Sequence, residues 1–173
     1  ACDVQHSQIA RGDWLMRLLL LLLALAVPTG AVQGGEVKAG HPEARPFDAK
    51  ADAKVEVDAA LARAKSGNRM VLLVMGANWC HDSRALAGWF AQPRFAAMIA
   101  SRYELVYVDV GYKDRNIDLA RRFGLTKIKG TPTVMILDRQ GKLLNKKDAP
   151  SWRNASTRSQ EQVYRAFAEF TPA

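Results

Sequence analysis

Short apolar runs alternate with amphipathic segments from about residue 55 to the end of the chain. Residues 70–75 (MVLLVM) form an unbroken apolar run, which predicts a strand buried on both faces. Residues 105–110 (LVYVDV) and 133–137 (TVMIL) predict two more strands. A tight turn at 138–141 (DRQG), followed by residues 142–145, predicts a hairpin that adds a fourth strand.

Helical patterns separate these strands. Val57, Leu61 and Ala64 recur at helical spacing before Gly67, so a first amphipathic helix should end there. Four more helices are predicted, at residues 81–90, 93–101, 117–123 and 160–170. Residues typical of helix ends mark their boundaries: Pro93, then Asn116 and Gly124, and finally either Thr157 or Ser159. Strands that alternate with helices and end in a hairpin predict an α/β fold, with a central mixed β-sheet flanked by helices.

The N-terminal segment has the layout of a secretory signal. An apolar run at residues 18–27 follows Arg17 and precedes small residues, and a run of this length is too short to cross a bilayer. With Met16 as the start, we expect residues 1–31 to be an upstream segment and a signal peptide. Residues 32–54, rich in glycine, proline and charge, are predicted to form a linker. Residues 55–173 then form the folded domain.

Length and charge narrow the class of protein. The chain has 173 residues, of which 49% are hydrophobic, which fits one packed domain. Its net charge is +8, a balance that can favour nucleic acid or anionic surfaces. The lysines and arginines are scattered, however, without an aromatic-interleaved cluster. We therefore expect a solvated basic surface and no nucleic-acid partner.

Cysteine usage constrains the chemistry more sharply. The chain has two cysteines, Cys2 and Cys80, and removal of the signal would leave Cys80 alone. An internal disulfide would then be impossible. An unpaired thiol in an exported protein calls for an explanation, such as intermolecular pairing, reactivity or burial.

Two short motifs give the chain a family resemblance. Residues 79–83 (WCHDS) follow the first predicted strand, and residues 130–133 (GTPT) precede the last. In both motifs the chain resembles the thioredoxin superfamily. Residues 93–110 resemble in particular its exported bacterial members. The resemblance implies a thioredoxin fold that places Cys80 beside a cis Pro132. It also implies that the Thr131 backbone pairs with an extended substrate. Trp79 is expected either to form a groove wall or to pack against the core.

The last residue of the first motif, Ser83, departs from the family pattern. Ser83 stands where the family usually has its resolving cysteine, so the motif reads CxxS. A second thiol would release a mixed disulfide rapidly because it attacks within the same molecule, whereas a serine hydroxyl cannot do so. Any mixed disulfide at Cys80 must therefore be resolved by an outside thiol.

The neighbours of Cys80 influence its reactivity. In the first turn of a helix, free backbone N–H groups and the helix dipole stabilise a thiolate. A protonated His81 would act in the same direction, whereas Asp82 would oppose the thiolate electrostatically. We therefore assign Cys80, Ser83 and His81 to the catalytic set, and Trp79, Thr131 and Pro132 to substrate binding.

Other kinds of site find little support. His81 is not expected to bind a metal, because the mature chain would offer only His41 besides it and no second cysteine. Phosphate-loop, dinucleotide and serine-hydrolase signatures are absent from the sequence, so we expect no cofactor. Lys127 and Lys129 are expected to be solvated, with attraction of a carboxylate such as that of glutathione as the alternative.

The sequence therefore predicts a periplasmic protein that performs monothiol thiol–disulfide exchange through Cys80. Isomerase or glutathione-dependent reductase activity fits best, with cysteine-containing client proteins or glutathione as partners and no membrane span after signal cleavage. The alternative is a non-catalytic, peptide-binding or chaperone-like module. A third possibility is a redox-sensing homodimer joined through Cys80. The sequence leaves open whether the chain is an enzyme and what its oligomeric state is.

Overall fold

A mixed three-stranded sheet forms the centre of the protein. The structure is a computed structural model, and it describes residues 40–172. The strands are β1 (Met70–Gly76), β2 (Tyr103–Asp109) and β3 (Thr133–Leu137), in the order β2-β1-β3. β1 pairs in parallel with β2 and antiparallel with β3. The predicted α/β fold with a central mixed sheet is confirmed, and every residue of β1 is buried as its apolar run predicts.

Helices pack on both faces of this sheet. The described chain contains α1 (Ala53–Ser66), α2 (His81–Phe90), α3 (Pro93–Arg102), α4 (Ile117–Arg122) and α5 (Gln160–Ala168), and a 3-10 helix (Ala149–Thr157) that the sequence did not predict. Ser159, rather than Thr157, caps α5 in a capping box with Gln162. Asn116 occupies the N-cap position of α4, but its side chain makes no capping bond. Its amide donates instead to Asp109 O at 2.8 Å.

Side chains of β1 alternate between two apolar cores. Val71, Leu73 and Met75 face a cluster that contains Val57 of α1 and Leu119 of α4. The intervening residues of β1 face a second cluster, which holds the aromatic side chains of α2, α3 and α5. Because β1 is packed on both faces, the position of its C-terminal end is well defined, and so is the start of the turn that follows.

The prediction of a fourth strand is wrong. Residues 142–145 make one isolated bridge, between Leu143 and Leu137, and do not extend the sheet within the described chain. The side chain of Asn145 takes over the pairing: its Oδ1 accepts from Ile136 N and its Nδ2 donates to Val134 O, both at 2.9 Å. A side chain that satisfies the backbone of β3 ends the hairpin after one bridge.

An arm, residues 40–52, precedes α1 and packs against the domain. These residues belong to the predicted linker, yet Phe47 is 3% exposed and lies in the core cluster beside α2. Ala44 N donates to Arg84 O at 3.1 Å. At Gly88 of α2, a Cβ would come within 2.1 Å of Pro42 O. The arm therefore lies directly on α2, and glycine at position 88 is what permits this approach.

The predicted signal peptide and residues 32–39 of the predicted linker lie outside the described residues. Within residues 40–172, none of the helices has the length and apolar character needed to cross a membrane.

Candidate active site

Cys80 occupies the N-cap position of α2, directly after the turn that follows β1. Its backbone is extended, with φ −79° and ψ 121°, and its side chain makes no capping bond. Cys80 N donates to Ala77 O at 3.1 Å. The residue is 8% exposed and is a free cysteine. The residue is therefore largely buried at the start of a helix, whose first backbone N–H groups have no partner within the helix.

The loop before β3 brings a backbone carbonyl to this sulfur. Because β3 is antiparallel to β1, with Thr133 opposite Met75, the start of β3 lies at the same sheet edge as the end of β1. The Cys80 thiol donates to Thr131 O at 3.3 Å. The Thr131–Pro132 peptide bond is cis, and both residues are buried. Sequence positions about fifty residues apart thus meet at one place.

Ser83 lies one turn into α2 and faces away from solvent. It is fully buried, and its Oγ has no hydrogen-bond partner in the described part of the chain. A Cβ at Gly76 would approach Ser83 Oγ and the ring of Phe47 to 2.7 Å. The hydroxyl therefore packs between the end of β1 and the arm.

An aromatic pair borders the site on its exposed side. The ring of Trp79, 47% exposed, stacks on that of Tyr112, 76% exposed, with centroids 5.2 Å apart. Trp79 Nε1 donates to Gly111 O at 3.0 Å, and Gly111 has a φ of +55°, a conformation that favours glycine. Tyr112 was not among the site residues predicted from the sequence. The Gly-Tyr pair just after a predicted strand was the available signal.

Comparison with known proteins agrees with this geometry around Cys80 and Pro132. The family model described as Thioredoxin-like matches residues 52–139. This chain belongs to the thioredoxin-like family. It is similar to a disulphide isomerase from Xylella fastidiosa Temecula1, whose crystal structure matches with a TM-score of 0.69 and 36% identity over 73% of this chain and 96% of that one.

A solution structure of a thioredoxin from Thermus thermophilus is 26% identical over 47% of this chain and 60% of that one, with a TM-score of 0.38. No curated protein matches the chain.

In this thioredoxin-like protein, Arg84 stabilises the turn that precedes Cys80. Its Nη1 donates to Asn78 O at 3.2 Å and to Trp79 O at 2.9 Å, and its Nε donates to Glu43 Oε2 at 2.9 Å. This hydrogen bond holds the pKa of the Glu43 carboxyl below its ordinary value. The Asn78 side chain also bonds both backbone groups of Phe47. Two residues therefore fasten the turn to the arm, which lies outside the family match.

His81 is exposed and points toward the arm. Its Nε2 lies 3.4 Å from Glu43 Oε1, and its ring centroid lies 4.5 Å from that of His41. Glu43 was not predicted at this position, because only histidines and cysteines were considered as metal ligands. The sequence did contain a signal: His41 and Glu43 are two residues apart, and a second histidine follows at position 81.

Polar contacts join the site to the 3-10 helix. Asp82 Oδ1 accepts hydrogen bonds from Ser156 N at 2.9 Å and from Ser156 Oγ at 2.7 Å. Asp82 also lies in the first turn of α2, where a carboxylate is favoured by the helix dipole. Lys127 and Lys129 are exposed on the loop that leads to Gly130. The structure thus brings together Cys80, Trp79, Thr131 and Pro132, and places Ser83 beneath them.

Proposed function

We propose that the protein performs thiol–disulfide exchange with cysteine-containing clients, using Cys80 as its single reactive thiol. The observation that carries the proposal is the placement of a free cysteine at the start of α2, with Sγ 3.3 Å from the Thr131 carbonyl that precedes Pro132. The similarity to a protein described as a disulphide isomerase supports the same chemistry. Isomerase or glutathione-dependent reductase activity is the form we favour.

The reaction consists of two exchanges. The Cys80 thiolate attacks one sulfur of a client disulfide, so that an S–S bond to Cys80 forms while the client S–S bond breaks and a client thiolate leaves. In the second exchange another thiolate attacks the mixed disulfide and Cys80 leaves as thiolate. When that thiolate belongs to the client, the net change is isomerisation. When that thiolate is glutathione, the second exchange leaves a client–glutathione disulfide. A second glutathione then attacks this disulfide without using Cys80, so that the client is reduced and glutathione disulfide forms.

The position of Ser83 explains why an outside thiol is needed. Its hydroxyl is buried against Gly76 and Phe47 and has no sulfur chemistry to offer. We therefore expect the mixed disulfide at Cys80 to persist until a client or low-molecular-weight thiol arrives. Lys127 and Lys129 are exposed beside the loop that carries Thr131, and they would attract the carboxylates of glutathione.

The bacterial periplasm is the compartment we propose. The apolar run at residues 18–27, with Arg17 before it and small residues after it, supports export. The periplasm is oxidising, so client proteins with wrongly paired cysteines occur there. An isomerase does not need a stored disulfide of its own, which fits a chain whose single described thiol is Cys80.

The decisive experiment is refolding of a client that carries scrambled disulfides, in glutathione buffer. The unmodified chain should accelerate recovery of client activity, and Cys80→Ser should return the rate to that of buffer alone. Cys2→Ser is the matched control, because it removes the other cysteine of the chain, and it should retain the full acceleration. Acceleration that survives in Cys80→Ser would overturn the proposal.

A peptide-binding module is the second candidate. The exposed pair of Trp79 and Tyr112 next to Cys80 favours it, because such rings stack on apolar side chains of an extended peptide. Under this hypothesis, Cys80→Ser leaves the affinity for an unfolded client unchanged. Trp79→Ala and Tyr112→Ala weaken it, in a binding assay that contains no thiol reagent.

A further inference from the structure

A cluster of two imidazoles and one carboxylate lies beside the N-terminus of α2. His41 and Glu43 come from the arm and His81 from the first turn of the helix, and ligand atoms of the three lie within 4.8 Å of one another. We propose that this cluster is a zinc site, in which the three side chains bind one Zn²⁺ and water fills the fourth position. The site does not use Cys80 and does not depend on the exchange reaction.

The spacing of the side chains fits a tetrahedral ion. His81 Nε2 and Glu43 Oε1 are 3.4 Å apart, and zinc bonds of about 2.0–2.2 Å at tetrahedral angles separate neighbouring ligand atoms by about 3.4 Å. The His41 and His81 rings are 4.5 Å apart between centroids. The side chains of His81 and Glu43 are 58% and 38% exposed. These side chains therefore have room to rotate toward a shared ion.

The donor types select the class of metal. Imidazole nitrogens suit zinc and its transition-metal neighbours, whereas Ca²⁺ and Mg²⁺ prefer six or more oxygen ligands. Two histidines, one carboxylate and a water form a known zinc ligand set. A single carboxylate oxygen facing the cluster is too few for a hard cation. Zn²⁺ is therefore the ion that this cluster fits best.

Arg84 acts as a positioning residue for the carboxylate. Its Nε donates to Glu43 Oε2 at 2.9 Å, and its Nη2 makes a longer contact of 3.5 Å to Oε1. Oε1 also lies 3.4 Å from His81 Nε2. Hydrogen bonds of this kind fix the orientation of a ligating carboxylate. Arg84 O also accepts from Ala44 N at 3.1 Å, which holds the arm in place. The positive guanidinium opposes a second cation nearby, so we expect reversible binding rather than permanently held zinc.

Calorimetric titration of the full chain with Zn²⁺ tests the site directly. We expect one ion per chain, and a loss of affinity of about tenfold or more in each of His41→Ala, Glu43→Gln and His81→Ala. His6→Ala is the matched control, because His6 is the remaining histidine of the chain, and it should bind as the unmodified chain does. The three residues are at least partly exposed, so circular dichroism should show an unchanged fold.

Gly88→Ala tests the geometry while leaving every ligand in place. The added Cβ would come within 2.1 Å of Pro42 O, so the arm must move away from α2, and we expect zinc affinity to fall about tenfold or more. Gly67→Ala, at the far end of α1, is the control and should bind normally.

Several outcomes of these titrations would each overturn the assignment. These are no saturable binding by the unmodified chain, binding that survives His41→Ala or His81→Ala, binding that survives Gly88→Ala, and binding that is lost in His6→Ala. As a second readout, Zn²⁺ should raise the melting temperature of the unmodified chain and not that of His81→Ala. Co²⁺ bound in place of zinc should show no thiolate charge-transfer band, because Cys80 is not a ligand. Appearance of that band would overturn the three-ligand assignment.

Discussion

Replacing Ser83 with alanine should stabilise the protein. The Ser83 hydroxyl is fully buried and has no hydrogen-bond partner in the described part of the chain, and such a group costs about 1–3 kcal/mol of folding free energy. Removing one oxygen leaves a void whose cost is about 0.3 kcal/mol. The net gain should be about 0.7–2.7 kcal/mol, which a urea slope of about 2 kcal/mol per molar converts to a midpoint shift of about 0.4–1.4 M.

Urea unfolding followed by tryptophan fluorescence measures this shift, and the slope of the transition should not change. Thr133→Val is the matched control, because Thr133 is also fully buried but its Oγ1 donates to Gly130 O at 2.8 Å. That variant should lose about 1 kcal/mol. A Ser83→Ala chain that is equally stable or less stable would show that the hydroxyl has a partner, and would refute the reasoning. The sequence placed Ser83 in the catalytic set, but its hydroxyl is fully buried and no step of the proposed exchange uses it. Client refolding by Ser83→Ala should therefore equal that of the unmodified chain.

Three further perturbations have defined outcomes. Ser83→Cys should let a trapped mixed disulfide at Cys80 resolve without added thiol, which mass spectrometry of the trapped complex detects, whereas persistence of the complex would contradict it. Burial raises the pKa of Tyr103, so its neutral form stabilises the fold fully below about pH 10 and this contribution is lost as pH rises above that value. Tyr103→Phe should therefore flatten the alkaline fall in stability, and should cost about 1 kcal/mol at neutral pH because Phe167 O loses its donor. Asn145→Ala should cost about 2–4 kcal/mol in urea unfolding, because it leaves two buried backbone groups of β3 unpaired, and a loss below 1 kcal/mol would contradict the pairing.

The sheet and the helix starts could be predicted because their signals are local. The run at residues 70–75 has no polar interruption, so a buried strand is the simplest structure for it. Pro93 and Ser159 mark helix starts through their own backbone preferences. The Trp-Cys and Thr-Pro motifs likewise indicated which residues would meet, since the family resemblance supplied their partners.

The features that could not be predicted depend on contacts between distant residues. The sequence at 142–145 looks like a strand, and only the folded chain reveals that the Asn145 side chain takes the backbone partners of β3. The arm looks like a linker because its glycines and prolines outweigh one apolar residue, Phe47. Phe47 is held in place by hydrogen bonds from the Asn78 side chain, some thirty residues away. Tyr112 and Glu43 escaped notice for the same reason, since neither belongs to a motif.

The arm also bears on where the protein may be cut for study. The family match begins at residue 52, and a fragment started there would keep Cys80, Thr131 and Pro132. It would lose the ring of Phe47 beneath the sheet edge and the carboxylate that pairs with Arg84. Such a fragment would keep both family motifs but lose the contacts that hold the turn before Cys80. A weak result in the refolding assay would then reflect the loss of the arm and not the serine at position 83.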